Sequence, residues 1–221
     1  MYKVFKKDLK SNNGNIKWKI GKWQHHKGKL EMCRSGLHCS ENIIDAMEYT
    51  NAEEIALVGV KGKYLKQDDK QCWESMKIVK VWNWEKEDSV SLAIFAAELC
   101  IDNFEKEYPT DKRPRQAIEA AKKWLKNPTE ENRSAAGSAR SAAESVWSAA
   151  GSADSAAWSA AGSAAGSAAE SVWSAARSAR SAADSAAWSA GSAESADSAA
   201  RSVIKQRCHD FVINRLNGRE A

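Results

Sequence analysis

The chain has 221 residues, 43% of them hydrophobic, enough for one large domain or two small ones with a buried core. Its net charge of +4 is too small for whole-molecule polyelectrolyte behaviour. No run of about 18 apolar residues offers a membrane span, and the opening MYKVFKKDLK lacks the apolar stretch of a secretory signal.

The five cysteines, Cys33, Cys39, Cys72, Cys100 and Cys208, are odd in number and widely spaced. That pattern suits reduced thiols in a cytoplasmic protein better than a disulfide framework. Charge is unevenly spread. Residues 1–30 hold nine lysines against one acid, Asp8, a local basic face able to attract phosphates or an acidic partner or simply to keep the surface solvated.

Residues 1–87 read as short strands and turns. MYKVFKK, KWKIGKW, IALVGVKG and MKIVKVWNW hold β-branched or aromatic residues in partial alternation, and Asn13-Gly14, Lys27-Gly28 and Lys61-Gly62 supply turn signals. One helix interrupts them, with Ser40 as its expected N-cap and Ile43, Ile44, Met47 and Tyr49 as its apolar face. Residues 88–127 predict two amphipathic helices. Asp88 or Ser89 caps the first, Pro114 falls in the first turn of the second, and Asn127-Pro128 ends it.

From residue 133 to 203 the chain changes character. Twenty serines run from Ser134 to Ser202, so 19 steps cover 68 residues, and the mean step of about 3.6 is the α-helical repeat. Each serine is followed by Ala or Val and preceded by Arg, Gly, Glu, Trp or Asp. The variable residue, the serine and the alanines therefore form neighbouring stripes, with the alanine stripe as the packing face. Breaks between helices are expected near Gly137, Gly151, Gly162, Gly166 and Gly191. A closing helix from about Ser198 to Leu216 carries Val203, Ile204, Cys208, Phe211, Val212 and Leu216 on one face and stops at Asn217-Gly218. The expected fold is α+β: a small mixed sheet and helix domain over 1–87, then an all-α antiparallel bundle rich in Ala and Ser over 88–221.

Four groups of residues are candidates for function. His38, just before the helix start, has the chemistry to orient a phosphate or ribose together with Ser40, or to serve as a strand-end residue satisfied by backbone. Arg113 and Arg115 flank a helix start, where they can grip an anion or form a solvated surface pair. Trp147, Trp158, Trp173 and Trp188 share the variable stripe and offer a partner surface, or they fill gaps between alanine-lined helices. His25, His26, Cys33, Cys39 and Cys72 are enough donors for zinc but lack metal-ligand spacing, so no metal and no cofactor is expected. No G-x-S-x-G, H-E-x-x-H or P-loop pattern occurs.

The run DNFEKEYPTDKRPRQAIEAAKKWL, leading into the SAA-rich helices, makes residues 92–203 resemble a bacterial family of alanine-rich helical immunity proteins. Through Cys33–Ser40, Ala46–Tyr49 and Val58–Gly62, residues 1–87 are similar to an N-terminal domain of unknown function common in phage and bacterial proteins. That second resemblance implies a phage or mobile-element context. The G-L-H-x-S…Y…V-x-G layout is also distantly similar to the core of polymerase-type ADP-ribosyltransferases.

The leading expectation is a non-enzymatic binding protein acting on a protein partner in immunity or counter-defence. A sponge for a nucleotide signal and an ADP-ribosyltransferase-like enzyme are the alternatives. Neither a nucleic-acid nor a membrane partner is expected, and self-association is left open.

Overall fold

A computed structural model describes residues 1–13, 16–99, 101–144 and 197–219, and these form an α+β arrangement in two units, Met1–Trp84 and Glu85–Ala221. In the first unit β1 (Tyr2–Phe5), β2 (Trp23–His25), β3 (Leu37–Cys39), α1 (Ile43–Met47), β4 (Glu54–Lys66) and β5 (Gln71–Asn83) follow in chain order. In the second come α2 (Lys86–Glu98), α3 (Ile101–Glu107), α4 (Arg113–Lys126), α5 (Glu130–Glu144) and α6 (Asp197–Asn217).

The apolar alternations IALVGV and MKIVKV fall in β4 and β5, two 13-residue strands joined as one long antiparallel hairpin. The hairpin does not turn at Lys61-Gly62, as the sequence suggests. It turns at Asp68-Asp69, where Gln67 N–H donates to the Lys70 carbonyl at 2.9 Å. Gly62 lies inside β4 with φ +91°, at a bulge that sets Gly62 and Lys63 opposite Glu74 alone. Lys63 N–H donates to the Glu74 carboxylate at 2.9 Å, and a Cβ on Gly62 would lie 2.7 Å from that carboxylate. The glycine therefore makes a bulge rather than a turn.

The other strands attach to this hairpin. β1 pairs with β4, while β2 and β3 share the far edge of β5. Tyr2 and Ser40 then exchange both backbone hydrogen bonds, at 2.8 and 2.9 Å, so the ring β1–β4–β5–β3 closes on itself. Phe5, Trp18, Leu37, Cys39, Ala56, Val58, Met76 and Ile78 fill its core. Because Ser40 is held in that closure, α1 starts later than expected: Asn42 is the cap, accepting from Ile44 N–H at 2.8 Å. Ile43, Ile44 and Met47 are buried as expected, whereas Tyr49 lies past the helix and is exposed. Of KWKIGKW only Trp23 enters a strand, because the chain turns over Lys19–Lys22.

In the second unit α2 is buried nearly all round, from Asp88 to Ala97, and packs against α4 and α6. Glu85 is its N-cap, with Asp88 completing a capping box. Pro114 sits in the first turn of α4. α5 runs through Gly137 without a break, since a lone helical glycine costs only about 1 kcal/mol. Ala136 is buried there while Ser134, Ala135 and Ser138 are exposed, so of this first alanine pair only the second faces inward. Gly151, Gly162, Gly166 and Gly191 lie outside the described residues. On α6, Ile204, Cys208, Val212 and Leu216 are buried at four-residue spacing and Phe211 stacks on Phe95 with centroids 4.4 Å apart, while Val203 is 59% exposed.

The Asp88 carboxylate, fully buried, ties the start of α2 to the end of α6. It accepts from Glu85 N–H at 2.7 Å, from Arg215 at 2.6 Å and from Arg219. Asp88→Ala is expected to cost about 3 kcal/mol, because it strands the arginines and unmakes the capping box. Arg219→Ala should cost under about 1 kcal/mol because Arg215 remains. Urea denaturation of both variants checks that order.

Candidate functional site

The segment Cys33–Ser40 concentrates the polar side chains of the first unit. Its tight turn is held by Glu31 N–H to the Ser35 carbonyl and Ser35 N–H to the Glu31 carbonyl, both 2.8 Å, and Cys33 at its tip has φ +65°, a conformation L-residues avoid. His38, the middle residue of β3, steadies the turn. Its Nε2 accepts from Cys33 N–H at 3.0 Å, and the Gly36 carbonyl hydrogen-bonds the ring. The histidine thus meets the backbone of Cys33 rather than its thiol, making a turn brace rather than a nucleophile–base pair. Burial, followed by the positive charges of Lys3 and Lys70, pulls its pKa down, which keeps the ring a hydrogen-bond acceptor.

Around this brace other polar groups interlock. His26 Nε2 and Ser35 Oγ are 2.9 Å apart, and the Cys72 thiol donates to the Ser35 carbonyl at 3.2 Å. Gly36 has φ +125°, and a Cβ there would lie 2.3 Å from Cys72 Sγ and 2.9 Å from Leu30. Lys70 lies over the Tyr49 ring at 4.4 Å from its centroid and donates to its hydroxyl at 3.1 Å, and that hydroxyl donates to Asp69. Lys70 also hydrogen-bonds the exposed Cys33, and these partners push its pKa up. Lys3 comes from the other side: its ammonium donates to the His38 carbonyl at 2.9 Å and faces the Phe5 and Trp18 rings. Burial lowers its pKa to about 8, while burial raises that of neighbouring Cys39 to about 12.

His38 and Ser40 are therefore brought together on one strand segment, with Ser40 buried and its backbone bonded to Tyr2. Arg113 and Arg115 lie in the other unit, each with acids of its own. Arg113 chelates Asp111 and donates its N–H to the same carboxylate at 3.1 Å. Arg115 grips Glu105 with two bonds, 3.0 and 2.8 Å, and reaches Asp102 at 3.2 Å, which braces α3 to the first turn of α4. Trp147, Trp158, Trp173 and Trp188 lie outside the described residues. Among the described residues no three His, Cys, Asp or Glu side chains are grouped to hold a metal, and no helix is long and apolar enough to cross a membrane.

Sequence reading missed Lys3 and the Lys70–Tyr49–Asp69 group. The signal for the latter was Asp68-Asp69, which returns Lys70 beside the Cys33 turn once it is read as the hairpin loop. Lys3 looked like one lysine among nine, and only closure of the sheet buries it.

Residues 83–210, more than half of the chain, match the model of the Imm-5 like putative immunity protein family. The chain belongs to that family. Residues 1–88 match a domain of unknown function (DUF7666), in line with the resemblance drawn over residues 1–87. No curated protein and no solved structure matches the chain. Membership identifies an immunity-type interaction protein and points away from catalysis, although the family match itself names no partner and no reaction.

Two measurements test this geometry. Between pH 8 and 10.5 the folded chain holds fewer protons on Lys3 than the unfolded chain, so its burial penalty is full below pH 8 and fades as pH rises. Lys3→Met, losing one hydrogen bond but also a buried charge, should stabilise by about 1–2 kcal/mol at pH 7. Its advantage should shrink toward pH 10, in melts compared with wild type so that the opposing effect of Cys39 largely cancels. Gly36→Ala should lower stability by at least about 2 kcal/mol, read as a drop in the urea midpoint.

Proposed function

We propose that the chain is a non-enzymatic immunity protein that neutralises a protein toxin by binding it through the Imm-5 like region, in the cytosol. The observation that carries this reading is the family match over residues 83–210. The geometry supports it in a second way. Asp88, Arg113 and Arg115 are engaged in ion pairs that brace helices, as expected of a scaffold that holds a surface in shape. In this reading residues 1–87 and 88–221 are separate domains. Trp147, Trp158, Trp173 and Trp188 supply the anchoring contacts, large aromatic side chains being the residues that most often dominate binding energy.

The test is co-expression with each candidate toxin encoded beside the gene. Restored growth together with a complex that survives gel filtration is the expected result. Replacing Trp158 and Trp173 by alanine should weaken that complex at least about tenfold. Continued toxicity with every neighbouring candidate, and no complex by titration calorimetry, overturns the proposal.

A further inference from the structure

The first unit carries an excess of positive charge. Residues 1–84 hold 16 lysines and arginines against 10 acids, and one sheet face gathers cations around an aromatic ring. Register sets Trp23 of β2 beside Lys77 of β5 and Gly59 of β4, and two residues along it sets His25 beside Ser75 and Lys61. Cross-strand partners share a face, so these six residues project from one side. The residues between them belong to the other face, where Met76 is fully buried and Val60 packs against the core.

On the outer side the Lys61 ammonium lies 4.1 Å from the Trp23 ring centroid and that of Lys77 5.2 Å. The His25 ring is stacked with Trp23, 23° from parallel, and Ser75 Oγ holds it by its Nδ1 at 2.8 Å. Gly59 leaves room for the Lys77 stem, whose Cε lies 3.5 Å from where a Cβ would be. Lys61 and His25 are exposed, as are Lys22 and Lys27 on either side of β2. None of the six is acidic. Glu74, next along β5, points to the other alternation and is bonded at the bulge.

We propose that this face binds single-stranded nucleic acid, with Lys61 and Lys77 on the phosphates and the Trp23–His25 pair stacking against bases. The charge pattern calls for an anionic occupant, and the aromatic pair narrows it. A single strand uses both the cations and the ring faces, an acidic protein uses the cations alone, and a duplex keeps its bases stacked on one another. The site is independent of toxin binding by the Imm-5 like region.

Anisotropy of a fluorescein-labelled 15-nucleotide thymidine oligomer with the full chain tests it. Binding at 50 mM salt that weakens about tenfold by 200 mM is expected for two or three phosphate contacts. Lys61→Gln with Lys77→Gln should weaken binding at least about tenfold and flatten the salt dependence. Trp23→Leu should weaken it about tenfold with the salt dependence kept. Absence of binding at 50 mM salt overturns the proposal, as does wild-type affinity in the double lysine variant. Displacement of the oligomer by polyglutamate at equal charge concentration also overturns it, in favour of an acidic protein. Should Trp23→Leu fail to fold, the lysine variant, which removes no buried side chain, decides.

Discussion

β5 is hydrogen-bonded along both edges, to β4 over its whole length on one side and to β2 and β3 in turn on the other. Among the described residues no other strand of the first unit has two such neighbours, so the positions of β2 and β3 follow from the register of β5. A shift of one residue in the β4–β5 pairing would exchange Met76 and Ile78 for Lys77 in the core. Two irregularities fix that register. At Leu57/Val58 the extra residue is in β5, and at Lys61/Tyr64 it is in β4. Such bulges resist slippage because a slipped pairing would leave the extra residue with no place to sit. The strand that carries the core therefore also presents Lys77 outward beside Trp23.

Charge is treated differently in the two units. Asp88 is a fully buried anion answered by two cations and a backbone N–H, so its desolvation is offset within the helices it joins. Lys3 is a cation in a partly aromatic setting answered by a carbonyl and two ring faces. Burial there lowers its pKa. A buried ammonium without a carboxylate costs stability, and its position at the closure of the ring, between β1 and β3, places the cost where the sheet meets itself. Its bond to the His38 carbonyl then couples that closure to the turn His38 holds through its ring.

Much of this was legible in the sequence. Local pattern is enough to place β1, the apolar stretches of β4 and β5, α4 and the last helix, whereas the helix expected from Asp88 onward falls into two, α2 and α3. What failed was punctuation. Lys61-Gly62 reads as a turn because glycine takes a positive φ in turns and bulges alike, and only the partner strand decides which. Ser40 reads as an N-cap because its chemistry fits, yet pairing with Tyr2, 38 residues away in sequence, claims its backbone first. Val203 looks apolar and inward but faces solvent, since the buried row on α6 runs at strict four-residue steps from Ile204. The sites were less legible than the elements. His38 and the two arginines stand out as chemically capable residues, and sequence cannot show that their hydrogen-bonding capacity is spent on neighbours such as Cys33, Asp111 and Glu105.

That spending bears on what kind of protein this is. His38 turns its ring to backbone, and Arg113 and Arg115 turn their guanidinium groups to carboxylates. These residues hold shape. Among the side chains that face outward are lysines beside an aromatic ring in the first unit and serines along the start of α5. Outward charge and aromatic area act by complementarity to something that binds, and a scaffold fixed by internal ion pairs reduces the ordering cost of binding. The basic balance of the first unit, 16 cations to 10 anions, contrasts with 17 to 19 over residues 85–221. At long range the two units therefore present fields of opposite sign.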